Sequence, residues 1–125
     1  MAATAVEAWD ERWATPEGRA DWLVPHPAVA GLVPVLKARG AQHVLDLGCG
    51  VGRHALFFAE HGFAVEAIDG AAAGLDFACR EAARRPTAQR CERRRASAYT
   101  IKGGETILTG LPDLGVRHSV TRRSC

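Results

Sequence analysis

Apolar positions along the first 84 residues recur with two alternating periods, and each change of period marks an element. Val6, Trp9 and Trp13 fall at i, i+3 and i+7, which predicts a short helix with two large aromatics on one face. From Pro27, the positions Val29, Leu32, Val33 and Leu36 repeat as i, i+3, i+4, i+7; Pro27 suits a first helical position, Gly40 a stop, and Pro34 is expected to kink the helix. HVLDL, residues 43–47, is a short apolar run bounded by Gly40 and Gly48, the pattern of a buried strand. RHALFFAEHG reads as a helix whose apolar face is Ala55, Leu56, Phe58 and Ala59 and which ends at Gly62. A second strand, FAVEAID over residues 63–69, places Phe63, Val65, Ala67 and Asp69 on alternate positions with Ile68 opposite. Leu75, Ala78, Cys79 and Ala82 restore the helical spacing over residues 72–84. Strands alternating with helices in this way predict an α/β fold, a parallel sheet with right-handed crossovers.

Beyond Arg84 no period is sustained, and only ETILTGL, residues 105–111, has the character of a strand. Three parts follow: an N-terminal helical segment (1–42), a β-α-β-α core (43–84) and a basic, irregular tail (85–125). Charge divides the chain at the same place. Residues 1–83 hold six Lys/Arg against eleven Asp/Glu, and residues 84–125 hold ten against three. The cluster Arg90, Arg93, Arg94, Arg95 has the charge to bind phosphates, yet Tyr99 is the single aromatic near it, and a solvated stretch is the simpler reading.

Composition narrows the class without choosing a function. With 125 residues, 47% apolar and 24% charged, the chain has the balance of one soluble globular domain. No apolar run reaches the length of a membrane span and the first residues lack the features of a signal peptide, so a cytoplasmic location is expected. Cys49, Cys79, Cys91 and Cys125 form no CxxC pair and are read as free thiols; neither they nor His26, His43, His61 and His118 have metal-ligand spacing, and no metal is expected.

The residues that carry chemistry are VLDLGCGVGRHA. Asp46 closes a strand, and Gly48, Gly50 and Gly52 follow at alternate positions before a helix begins near Arg53. Glycines permit the abrupt strand-to-helix turn and let a ligand approach the backbone, and the helix start presents free N–H groups. A dinucleotide loop, GxGxxG, would need glycine at position 53, which is Arg53. The segment Asp46-Leu-Gly48-Cys-Gly50-Val-Gly52 instead resembles motif I of the class I, Rossmann-like S-adenosylmethionine-dependent methyltransferases, an acidic residue followed by GxGxG. That family also places an acidic residue at the end of the second strand to hold both ribose hydroxyls, and Asp69 stands in that place.

The resemblance implies a partial Rossmann-like three-layer sandwich, S-adenosylmethionine as cofactor, and Asp46, Gly48, Gly50, Gly52 and Asp69 as the cofactor-binding residues. AWDERWATPEGRADWLVPHP is similar to segments that precede motif I in small-molecule methyltransferases related to tellurite-resistance and thiopurine enzymes, where they tend to cover the cofactor cleft. Trp9, Trp13 and Trp22 are open to that role or to plain helix packing. Cys49 is expected to be a small packing residue, and Arg53 and His54 to face solvent rather than the pocket. A small-molecule acceptor is implied, with no membrane and no nucleic-acid partner; catalytic residues are not identifiable.

In all, the motifs carry the resemblance over about residues 5–84. The carboxylate-tipped third strand and the substrate strand of the family are not recognisable after that point. The switch to an arginine-rich, aperiodic sequence is what a truncation or frameshift near residue 84 would give. Two strands with one side of the first left open predict marginal stability and doubtful turnover, so the alternative is a non-catalytic fragment with at most weak cofactor binding.

Overall fold

A computed structural model of the chain describes residues 3–85 and, beyond them, the strand segments at 91–95, 106–107 and 121–123. The N-terminal segment folds as α1 (Ala5–Trp13), α2 (Pro16–Arg19), a 3-10 turn (Ala20–Trp22), α3 (Pro27–Ala30) and α4 (Leu32–Ala38). A capping box starts α1: the Glu7 N–H donates to Thr4 Oγ1 at 3.2 Å while the Thr4 N–H donates to Glu7 Oε2 at 2.6 Å. The helix expected from Pro27 to Gly40 is divided at Gly31 rather than at Pro34. Pro34 is nonetheless the cause that physics supplies, because its ring crowds the carbonyl four residues back, at Ala30, and offers that carbonyl no N–H.

The core follows as β1 (His43–Leu47), α5 (Arg53–Glu60), β2 (Ala64–Asp69) and α6 (Ala72–Ala83), each within a residue or two of expectation. β1 and β2 pair in parallel with Val44 opposite Val65 and Asp46 opposite Ala67. Val44, Val65 and Ala67 pack with Phe58, Ala59, Phe63 and Leu75 in the main core, and Leu36 of α4 closes it. On the opposite face Leu45, Leu47 and Ile68 are also buried. Burial on both faces is why these strands read as nearly continuous apolar runs.

Three further strands complete the sheet: β3 (Cys91–Arg95), β4 (Thr106–Ile107) and β5 (Thr121–Arg123), in the order β4-β1-β2-β3-β5. Two expectations are corrected here. β1 is not open on one side, since β4 pairs with it in parallel at Val44 and Leu45. The arginine-rich stretch is not a solvated irregular segment throughout, since residues 91–95 run parallel to β2 from Val65 to Asp69 and β5 joins β3 antiparallel. The ladder is built by backbone N–H and C=O groups that every non-proline residue carries, so a strand edge can recruit a segment without legible side-chain period. Of the expected strand at 105–111, residues 106 and 107 are described; Arg90, Tyr99, His118 and Cys125 lie outside the described residues. No helix among the described residues is long and apolar enough to cross a membrane.

Candidate functional site

The turn after β1 is tied to β2 by three successive amides. Gly48 and Cys49 both donate to the Ile68 carbonyl, at 2.8 and 3.0 Å, and Gly50 donates to Asp69 Oδ2 at 2.8 Å. All three glycines of the motif have positive φ, 68° at Gly48, 55° at Gly50 and 84° at Gly52. The requirement differs between them. A methyl group at Gly52 would stand 2.7 Å from Ala78 Cβ, so that glycine serves the contact of α5 with α6. Gly50 faces the other way, where a methyl group would come within 3.2 Å of Trp13 Cζ2. Beside the same Trp13 ring, Gly74 of α6 meets the Gly50 carbonyl so closely that a Cβ there would lie 2.6 Å from the oxygen.

Asp69 ends β2 half-exposed. Its Oδ1 accepts from the Ala71 N–H at 2.7 Å while Oδ2 holds Gly50. Each oxygen accepts one bond here, and an ionised carboxylate has about four acceptor positions, so two remain for a vicinal diol. Asp46 is a different group. At 1% exposure it lies on the face that carries Val44, and neither of its oxygens has a hydrogen-bond partner. Burial pushes its pKa up to about 7; the Ala55 amide and the Arg53 charge oppose that, and the Asp69 charge adds to it. The Ala55 N–H therefore points favourably without closing a bond of ordinary geometry, and Asp46 is enclosed by protein rather than open to solvent.

Thus the structure brings Asp46, Gly48, Gly50, Gly52 and Asp69 to one edge of the sheet, at the carboxyl ends of β1 and β2. Three further residues meet there, of which the sequence left Trp13 open to a covering role, placed His54 in solvent and gave Asp10 no role. Trp13, 4% exposed, stacks on Trp9 at 5.0 Å and covers Gly50. Asp10 Oδ1 accepts from the Ala73 N–H at 2.7 Å, in the first turn of α6. His54, expected in solvent, is 8% exposed, and its Nε2 accepts from the His26 N–H at 3.1 Å. Burial, with the Arg53 and His26 charges beside it, lowers the His54 pKa to about 4, so the ring is a neutral acceptor. One local signal was available for Asp10: Ala71, at the N-cap of α6, has no side chain able to cap, so the cap must come from elsewhere. Cys49 is buried as a packing residue and Cys79 is free; no cluster with metal-ligand character occurs among the described residues.

A family profile described as methyltransferase domain matches residues 44–107, from β1 through β4. The chain belongs to this family. The match runs farther than the motifs carry it and takes in β3 and β4. Among solved structures, the methyltransferase domain is similar to the CcbJ methyltransferase of Streptomyces caelestis: 27% identity, 64% of this chain, 33% of that one, TM-score 0.53. A bacterial Hen1 methyltransferase domain is similar at 27% identity over 60% of this chain and 42% of its own, with TM-score 0.51. The glycopeptide N-methyltransferase MtfA, solved with sinefungin, shares the fold at 24% identity over 63% of this chain and 34% of its own, TM-score 0.52. The chain spans less than half the length of each of these. No curated protein matches it.

Proposed function

We propose that this methyltransferase domain binds S-adenosylmethionine on the turn after β1, with Asp69 receiving the two ribose hydroxyls, and that the whole protein methylates a small-molecule acceptor in the cytoplasm. The observation that carries the reading is the pairing of a positive-φ glycine turn with a half-exposed carboxylate fastened to it at 2.8 Å, both at the same strand ends. When bound, the cofactor supplies a methyl group on a sulfonium, already electrophilic, which passes to the acceptor by direct displacement.

The work left to this chain is placement. Gly48, exposed at the start of the turn, offers backbone to the amino-acid portion of the ligand, and Asp69 fixes the ribose through its remaining acceptor positions. Asp46 is enclosed by protein. With burial pushing its pKa up to about 7, it carries a full negative charge only above neutral pH.

Calorimetric titration with S-adenosylhomocysteine tests the site. Asp69→Ala is expected to weaken binding by about tenfold or more, since charge-assisted hydrogen bonds contribute about 1.5–3 kcal/mol each. Equal heat in wild type and Asp69→Ala would refute the assignment. A second reading, weak cofactor binding without turnover, draws on the length: the chain spans 33% of CcbJ. Transfer of labelled methyl to small acceptors by the chain separates the two.

A further inference from the structure

The side of the turn toward which a Cβ at Gly50 would point is covered by the chain's own N-terminal helix. Two contacts hold α1 there. The Trp13 ring lies against Gly50 and also against the first turn of α6, where its Cδ1 would be 2.9 Å from a Cβ at Gly74. Asp10, one turn earlier on α1, reaches Ala73 and provides the cap that Ala71 cannot. Behind these, Arg19 stacks on Phe77 of α6 at 4.4 Å and donates to the Trp13 carbonyl at 2.7 Å, which keeps the end of α1 in place.

From this arrangement we infer that α1 is a strap that competes with the cofactor: Trp13 and the ligand take the same side of Gly50, and binding requires the strap to lift. The inference rests on the reading of the turn as the cofactor site. Its consequence is thermodynamic. The apparent dissociation constant equals the intrinsic one divided by the fraction of molecules with the strap raised, so any change that loosens the strap tightens binding. Asp10 is the latch to break, because its contact with Ala73 joins α1 to α6 without forming part of the turn. Its removal also uncaps α6, and a serine at position 71 corrects that: Ala71 has the extended backbone of an N-cap, φ −86° and ψ 113°, in which a hydroxyl reaches the next turn's amides.

The test compares wild type, Asp10→Ala and Asp10→Ala/Ala71→Ser in titrations with S-adenosylhomocysteine, alongside acrylamide quenching of tryptophan fluorescence without ligand. Both variants are expected to show greater quenching as Trp13 becomes accessible. The doubly substituted chain, with α6 capped locally, is expected to bind about threefold or more tighter than wild type. If wild type binds and the double variant binds equally or more weakly, the strap does not compete, and the cofactor site stands without it. Absence of heat in every chain would overturn the site and the strap together. Greater quenching with tighter binding is the one outcome that supports both.

Discussion

Single residues at this site are constrained from directions that differ within two positions of the sequence. Gly52 has φ of 84° and a neighbour 2.7 Å from where its Cβ would be, so Gly52→Ala adds left-handed backbone strain to overpacking against Ala78. A loss of about 2–4 kcal/mol is expected in denaturant titration, of which Ala78→Gly should restore the packing share and not the backbone share. Two buried titratable groups set opposite pH responses. His54 has its pKa lowered from 6.5 to about 4, so it charges more readily in the unfolded chain, and the stability it gives above pH 6.5 is lost as pH falls toward 4. Asp46 has its pKa raised from 3.8 to about 7, so its fold contribution is full below pH 3.8 and declines as pH rises to 7. The two slopes oppose each other between about 4 and 6.5. In Asp46→Asn only the His54 slope remains, and stability measured against pH is expected to rise from 4 to 6.5 by an amount on the order of 3 kcal/mol. A profile as flat as wild type would show that Asp46 is not the compensating group.

At the scale of elements, what the sequence made legible was local. The apolar faces of α5 and α6 and the alternation in β2 follow from spacing within one turn or one pleat, and they place Asp46, the glycines and Asp69 correctly on one edge. What escaped was carried by contacts between distant elements. The bonds from Asp10 to Ala73 and from His26 to His54 join residues 63 and 28 positions apart, and no window of sequence holds both partners. The division between α3 and α4 was legible in its cause and misplaced in its position, because proline acts on the carbonyl four residues before it. Pro34→Ala should therefore merge the two helices. It is expected to increase helical circular dichroism and raise the thermal midpoint by several degrees, as a gain of about 1 kcal/mol does in a small domain. A lower midpoint would show that the division at Gly31 is imposed by packing instead.

For the whole molecule, the unexpected feature is that β1 and β2 are each flanked on both sides. β4 stands beside β1 and β3 beside β2, although the chain that forms them is basic and aperiodic. The strand at 106–107 falls inside the ETILTGL run that the sequence marked, whereas main-chain pairing left no imprint on side-chain order at 91–95 and 121–123. Removal of residues 86–125 would leave a two-stranded sheet with two bare edges. Such a chain is expected to aggregate at micromolar concentration and to lose cooperative unfolding, and light scattering beside a thermal melt would show it. A soluble, cooperatively melting 1–85 fragment would mean that the helices hold β1 and β2 without help.

Three amides in a row, Gly48, Cys49 and Gly50, hang from the last two residues of β2. The turn is thus indexed to the second strand and not to the helix that follows it. Shortening the link before β2 by a single residue would carry the Ile68 carbonyl away from the turn and present a side chain of the wrong face in place of Asp69, undoing all three bonds while every motif residue stayed in the sequence.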